Sequence, residues 1–172
     1  MAGSRRIATI VSGLPRSGTS MMMRCLHHSG IPAIYSDTND HKGVGNGHPN
    51  PNGYFEIPHA NEHLSPGHVV KIFNLRKQNY IYQVVYMHRQ YATRKLSSVK
   101  AFGEYKGHPE KHEAIIHKSN IHGLQLNRGV VDIVVLSFED IMKDPLKEMM
   151  KLKHWGIDPF NMASLVETKW QF

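Results

Sequence analysis

One segment near the start of the chain constrains its fold more than any other. Residues 6–12 (RIATIVS) are β-rich and apolar and end on Gly13; the chain then runs through Leu14-Pro15-Arg16-Ser17-Gly18-Thr19-Ser20 into a stretch with helical spacing. A buried strand that turns through glycines straight into a helix is the local context of an anion cradle. Glycines let the backbone approach a ligand, successive N–H groups point at its oxygens, and the helix N-terminus adds partial positive charge. Ser17, Thr19 and Ser20 add hydroxyl donors. The spacing fits G-x-x-x-x-G, but Thr19 stands where the nucleotide-hydrolysing version of this loop carries lysine. The cation sits earlier, at Arg16, whose guanidinium can hold a phosphate or sulfate bidentately. Loss of that lysine argues against ATP or GTP hydrolysis by the common mechanism.

The rest of the chain continues the alternation. Met22, Cys25, Leu26 and Ser29 share one face of a helix predicted over 17–29, which Gly30 and Pro32 stop. Residues 31–35 (IPAIY) read as a second short strand. Residues 36–54 are rich in Gly, Asn, Asp and Pro and read as a long loop that is mobile until something binds. A short helix follows within 55–65, so that 36–66 as a whole is the region expected to shape an acceptor site. Residues 68–73 (HVVKIF) and 83–88 (QVVYMH) are apolar without strict alternation, as strands buried on both faces are. Helices are predicted over 90–102, with Ala92, Leu96 and Val99 inward, and over 109–127, where Gly123 weakens the pattern. Residues 130–138 (VVDIVVLSF) read as the clearest buried strand. Asp144 is an N-cap with Pro145 in the first helical position, Gly156 ends that helix, and Leu146, Met149, Met150 and Lys153 form its inner face. Strands alternating with helices predict a parallel sheet covered on both sides: a three-layer α/β domain of the P-loop type, spanning 1–172 as one domain. The paired methionines are expected in its core.

Composition narrows the function classes. At 172 residues with 40% hydrophobic and 20% charged residues, the chain reads as an ordinary globular domain. Ile7–Val11 is too short for a signal-peptide core, and no run reaches the length of a membrane span. A single cysteine, Cys25, allows no internal disulfide and points to the reducing cytoplasm. The formal charge of +7 attracts polyanions, either nucleic acid or a small multiply phosphorylated ligand. The 13 histidines show no HExxH pattern. His59 and His63 could share a helix face, but lack a third ligand, so no metal is expected.

Four segments in order carry a family resemblance. LPRSGTSMM resembles the 5′-phosphosulfate loop of PAPS-dependent sulfotransferases, P-[KR]-S-G-T-[ST]. Asn50-Pro51-Asn52-Gly53-Tyr54-Phe55-Glu56 is similar to the N-P-x-G-Y-[FW]-E stretch of bacterial-type members. Arg89 and Ser97, eight apart, have the spacing of the family's 3′-phosphate-binding Arg and Ser. Residues 134–145 (VVLSFEDIMKDP) are similar to its late strand and the Y-E-D-L-x-x-D-P sequel. Together these span residues 7 to about 157.

The resemblance implies an enzyme that moves the sulfuryl group of PAPS (3′-phosphoadenosine 5′-phosphosulfate) to a hydroxyl or amine of a small molecule or peptide, leaving PAP. It implies a nucleotide site of Gly13, Pro15, Arg16, Ser17, Gly18, Thr19, Ser20, Arg89 and Ser97, with Arg16 and Lys71 neutralising the transferring group. The cytosolic branch has a catalytic histidine in K-T-H; here Lys71-Ile72-Phe73 lacks it. The Golgi tyrosyl branch uses a glutamate base, for which Glu56 is the candidate, with His59 and His63 next. Glu139 and Asp140 are read as structural. The R-K-G segment that closes over the nucleotide in cytosolic members is not recognisable, so part of the nucleotide clamp, or of the acceptor pocket, is expected to be missing or to come from another subunit of a homo-oligomer. Two other readings stay open: a small nucleotide kinase, against which Thr19 speaks, and a non-catalytic nucleotide- or nucleic-acid-binding module, which the +7 charge permits, although nucleic acid is not the expected partner.

Overall fold

The computed structural model describes residues 7–35, 57, 59–75, 81–105 and 107–169. Four strands form one parallel sheet in the order β2-β1-β3-β4: β1 Ala8–Gly13, β2 Val69–Lys71, β3 Tyr82–His88 and β4 Val130–Ser137. The helices are α1 Thr19–His28, α2 Tyr91–Phe102, α3 Glu110–Leu126, α4 Phe138–Lys143, α5 Pro145–Met149 and α6 Pro159–Lys169. Short 3-10 turns cover Ala60–His63 and Met150–Trp155. No described helix is long and apolar enough to cross a membrane.

Strand alternation divides the core into two layers. Val11, Val69, Val85, Met87 and Leu136 face α1, α4, α5 and α6. Their neighbours Ile10, Val70, Val84 and Tyr86 face the opposite way, toward Leu124 of α3 and Leu64. Both faces of β1 are therefore covered, and all six of its residues are buried. That is why its sequence is an unbroken β-rich run rather than an alternating one. The three-layer α/β arrangement agrees with the expectation from sequence. α1 is buried almost all round, Met21, Met22, Met23, Cys25 and Leu26 being 2% exposed or less. Burial pushes the Cys25 thiol up to about 12, so it is an inert core side chain.

Several details differ from the sequence reading. Residues 31–35 contribute only an isolated bridge, Ala33 to Val69. The short helix expected within 55–65 is a single 3-10 turn at Ala60–His63. Among the described residues β4 is an edge strand: it pairs with β3 alone there, and Val131 and Val135 are exposed. Its apolar run is polarised by one-sided pairing, which composition cannot report. The helix predicted after Asp144 is instead a short α5 continued as a 3-10 turn to Gly156, burying Glu148, Met149 and Leu152 while Met150 and Lys153 stay outside. The change of winding shifts the inner face by one position. α6, which sequence reading passed over, starts at Pro159 and sends Met162, Ala163 and Val166 into the core with α1. The long loop expected over 36–54 lies outside the described residues.

Below the C-terminal end of β3, His117 of α3 lies 3.1 Å from the Tyr86 hydroxyl, and its ring is 4.4 Å from that of His88. Burial, and then the neighbouring His88 and Arg94, lower His117 from 6.5 to about 4. The unfolded chain binds this proton below 6.5 and the native ring refuses it until about 4. The contribution to stability therefore falls as pH drops through that window and levels off below it. At 1.36 kcal/mol per pH unit the ceiling is about 3 kcal/mol, and the half-exposed position reduces it to about 1 kcal/mol. His117→Gln should flatten the acid limb of the stability curve by about that amount, measured as the difference between wild type and variant in urea titrations at pH 7 and pH 4.5.

Candidate functional site

Parallel pairing brings the strand C-termini to one edge of the sheet, and the register fixes who meets there. Gly13 pairs with Met87, Val11 with Lys71. The loop from Gly13 to Gly18 thus rises between Lys71 on one side and the residues after β3 on the other. Its backbone needs its sequence. Gly13 has φ 149°, and a Cβ there would run into the Met87 carbonyl oxygen and lie 2.6 Å from Ser17 Oγ. Gly18 has φ 93°, and a Cβ there would sit 2.7 Å from the Phe138 ring. Arg16, at φ 67°, holds the left-handed conformation without being glycine, a cost of order 1–3 kcal/mol that the loop sustains.

The loop brings several polar groups together at the start of α1. Ser17 is 1% exposed, and its Oγ has no hydrogen-bond partner among the described residues. α1 starts at Thr19 with Gly18 as N-cap and no side-chain cap, which leaves the first-turn N–H groups without intrahelical partners. Lys71, 4% exposed, donates from Nζ to Ser20 Oγ at 3.2 Å. A buried hydroxyl without a partner costs about 1–3 kcal/mol unless a ligand satisfies it. An anion seated among these donors fits the residues present.

Arginines line the opposite wall. Arg16 donates through Nε and Nη2 to Ser97 Oγ at 3.2 and 3.0 Å. Arg89, directly after β3, donates from Nη1 to the Arg16 carbonyl at 3.3 Å, stacks 4.0 Å over Phe138, and has no partner for its buried Nε among the described residues. Burial chiefly lowers the Arg89 pKa; Glu139 opposes this, while Arg16 and Arg94 add repulsion. Glu139 accepts from the Gln90 backbone N–H at 3.2 Å and from the Thr93 hydroxyl, which agrees with its reading as a structural carboxylate. Arg16, expected beside the transferring group with Lys71, is here engaged by Ser97.

The most buried cation of this wall was missed from sequence. Arg94, 4% exposed, donates to the Pro15 carbonyl at 3.0 Å and pairs with Glu113 of α3. The inward face predicted for α2 is reversed: Arg94 and Ser98 are buried, whereas Leu96 and Val99 are exposed. The signal available was the stripe Arg94, Ser97, Ser98, three and four residues apart, against a basic loop that needs hydroxyls and carbonyl partners.

A cavity of about 360 Å³ opens beside Lys71, lined by Ile57, His59, Ala60, Asn61, Ile72 and Phe73 among others. His59 therefore shares a cavity with Lys71, whereas His63, exposed at the end of the 3-10 turn, does not line it. Glu56 and the 50–56 motif lie outside the described residues. The chain matches no protein-family model, no curated protein and no solved structure.

Gly13→Ala should destabilise the fold by about 2–4 kcal/mol, because strained backbone and a backbone clash coincide. Gly123→Ala, where a Cβ meets nothing within 4 Å on an exposed face of α3, should stabilise by about 0.5–1 kcal/mol. Denaturant midpoints at constant m-value check both.

Proposed function

We propose that the chain is a PAPS-dependent sulfotransferase, moving the sulfuryl group to a hydroxyl or amine acceptor and releasing PAP. The observation that carries this reading is the convergence on one loop of a buried, unpartnered Ser17 hydroxyl, Lys71 at the first turn of α1, and Arg89 with Ser97 across the loop. A ligand with anionic groups at two ends suits such a divided set better than one with a single triphosphate chain. The absent loop lysine points the same way.

In this reading the residues 13–20 cradle, with Ser17, Thr19 and Ser20, holds the 5′-phosphosulfate. Arg89 and Ser97 hold the 3′-phosphate. Arg16, engaged by Ser97, belongs with that grip, which leaves Lys71 as the cation that neutralises charge on the oxygen bridging phosphorus and sulfur as it departs. The acceptor attacks sulfur in line; the new bond to sulfur forms as the bridging S–O bond breaks, and the acceptor proton passes to a base. Glu56 holds that role by family resemblance, and His59, beside Lys71, is its competitor. No step in this scheme calls for a metal.

PAP at a hundredfold excess over its Kd should add about 2.7 kcal/mol of stability, a rise in Tm of about 5–10 °C, whereas ATP and a DNA oligomer should add little. Arg89→Ala should weaken PAP by about tenfold or more beyond whatever AMP loses with the Arg16 carbonyl contact; equal losses for both would remove Arg89 from the 3′-phosphate. Glu56→Gln should keep PAP affinity and lower labelled-sulfate turnover by about a hundredfold. If His59→Asn produces that loss instead, the histidine is the base.

A further inference from the structure

We infer that Arg94 is a positioning residue for the anion loop, acting through a buried network that ties α2 and α3 to the Pro15 carbonyl. This rests on the reading above for its ligand, but not for its effect on the loop.

The geometry separates Arg94 from the cations that could touch a ligand. Its Nη2 forms an ion pair with Glu113 Oε2 and donates to the Tyr105 hydroxyl at 3.0 Å. That hydroxyl in turn lies against Glu113 Oε1 and the His108 carbonyl. Glu113 is 6% exposed and sits in the first turn of α3, where a negative charge is favoured by the helix dipole. The charge of Arg94 is thus matched inside the protein, and its remaining reach goes through Nη1 to Pro15 O at 3.0 Å. Arg89 and Glu139, by contrast, form no ion pair among the described residues.

The carbonyl that Arg94 holds decides how the loop faces its ligand. A peptide unit is planar, with C=O and N–H pointing in opposite directions. Arg94 draws the Pro15 carbonyl toward α2, and Arg89 does the same for the Arg16 carbonyl. The N–H of Arg16 is thereby turned the other way, while that of Ser17 closes the turn onto the Leu14 carbonyl at 3.1 Å. A peptide flipped at this point would aim a carbonyl oxygen at an incoming anion instead of a donor. The left-handed backbone of Arg16 lies between these two bonds and depends on both. The Ser97 contact to the Arg16 side chain comes from the same helix, one turn after Arg94.

The test combines hydrogen exchange without ligand and nucleotide affinity, on the full chain. Arg94→Met should speed exchange of the amides in 14–20 by about tenfold or more, the worth of one buried charge-assisted bond, while β1 amides keep their wild-type rates. PAP and AMP should weaken by a similar factor, because they share the 5′-phosphate. Arg94→Lys should fall between wild type and Arg94→Met. If Arg94→Met does not fold, Tyr105→Phe removes one link of the network and should give a smaller loosening of the same amides. Unchanged exchange over 14–20 in a variant that is merely less stable overturns the inference. So does selective loss of PAP over AMP, since Arg94 would then be touching the 3′-phosphate itself. A wild-type protein that binds no PAP, with the loop still loosened by Arg94→Met, keeps the positioning role and removes the sulfotransferase reading.

Discussion

The pairing of β1 between β2 and β3 is the constraint on which the rest depends. β1 is buried on both faces, and its register sets Val11 against Lys71 and Gly13 against Met87. A slip of one residue would exchange the side chains that face α1 with those that face α3. Lys71 would then turn away from Ser20, and the loop would leave β1 at the wrong height relative to Arg89. The site needs no special element of its own. It is the edge at which a right-handed parallel sheet places its strand ends, where open α/β sheets offer a crevice.

Several positive groups meet at this edge, and the protein handles them in different ways. Arg94 is removed from water and given Glu113 as a direct partner. Arg89 keeps Glu139 only as a neighbouring charge, since that carboxylate is spent on the Gln90 N–H and the Thr93 hydroxyl; the guanidinium rests on the face of Phe138 instead. An aromatic face stabilises a cation without supplying a hydrogen-bond acceptor. Arg89 therefore keeps donor capacity for a ligand oxygen, which an ion pair would have consumed. Phe138 also packs against Gly18, so the same ring supports the loop and the arginine across from it.

The fold was legible because its signals are local. The unbroken apolar runs of β1, β2 and β3, the helical spacing of Met22, Cys25 and Leu26, and the Asp144-Pro145 start all report conformation through near neighbours. What failed was whatever depends on distant partners. The run 130–138 is as apolar as a central strand, but β4 lies at the edge of the described sheet. α2 shows an apolar stripe, yet no residue of it joins either core cluster. The site was legible in part. The cradle, Lys71, Arg89 and Ser97 stood out by spacing and resemblance. Arg94 and Phe138 did not, because their value lies in contacts with distant parts of the chain, and Tyr105 and Glu113 did not, because they meet Arg94 from separate elements at no regular spacing. α6 could have been read from Asp158-Pro159 and the spacing of Met162, Ala163 and Val166.

The contrast between α1 and α2 bears on how such a site achieves selectivity. α1 is held by close-packed methionines and leucine, contacts that are strong in sum but indifferent to direction. α2 is held by Arg94, Ser97, Ser98 and Thr93, through bonds that weaken steeply when donor and acceptor turn out of line. The first arrangement fixes where the cradle stands. The second fixes which way its groups point, and leaves Leu96, Val99 and Phe102 outside the core. A ligand bearing negative charge at one end needs only the first. A ligand bearing it at two ends needs both halves set at a defined separation, and it gains from a wall whose orientation is specified by hydrogen bonds rather than by packing alone. On the proposed reading, the polar attachment of α2 answers the same demand as the placing of Arg89 and Ser97 across the loop from Lys71.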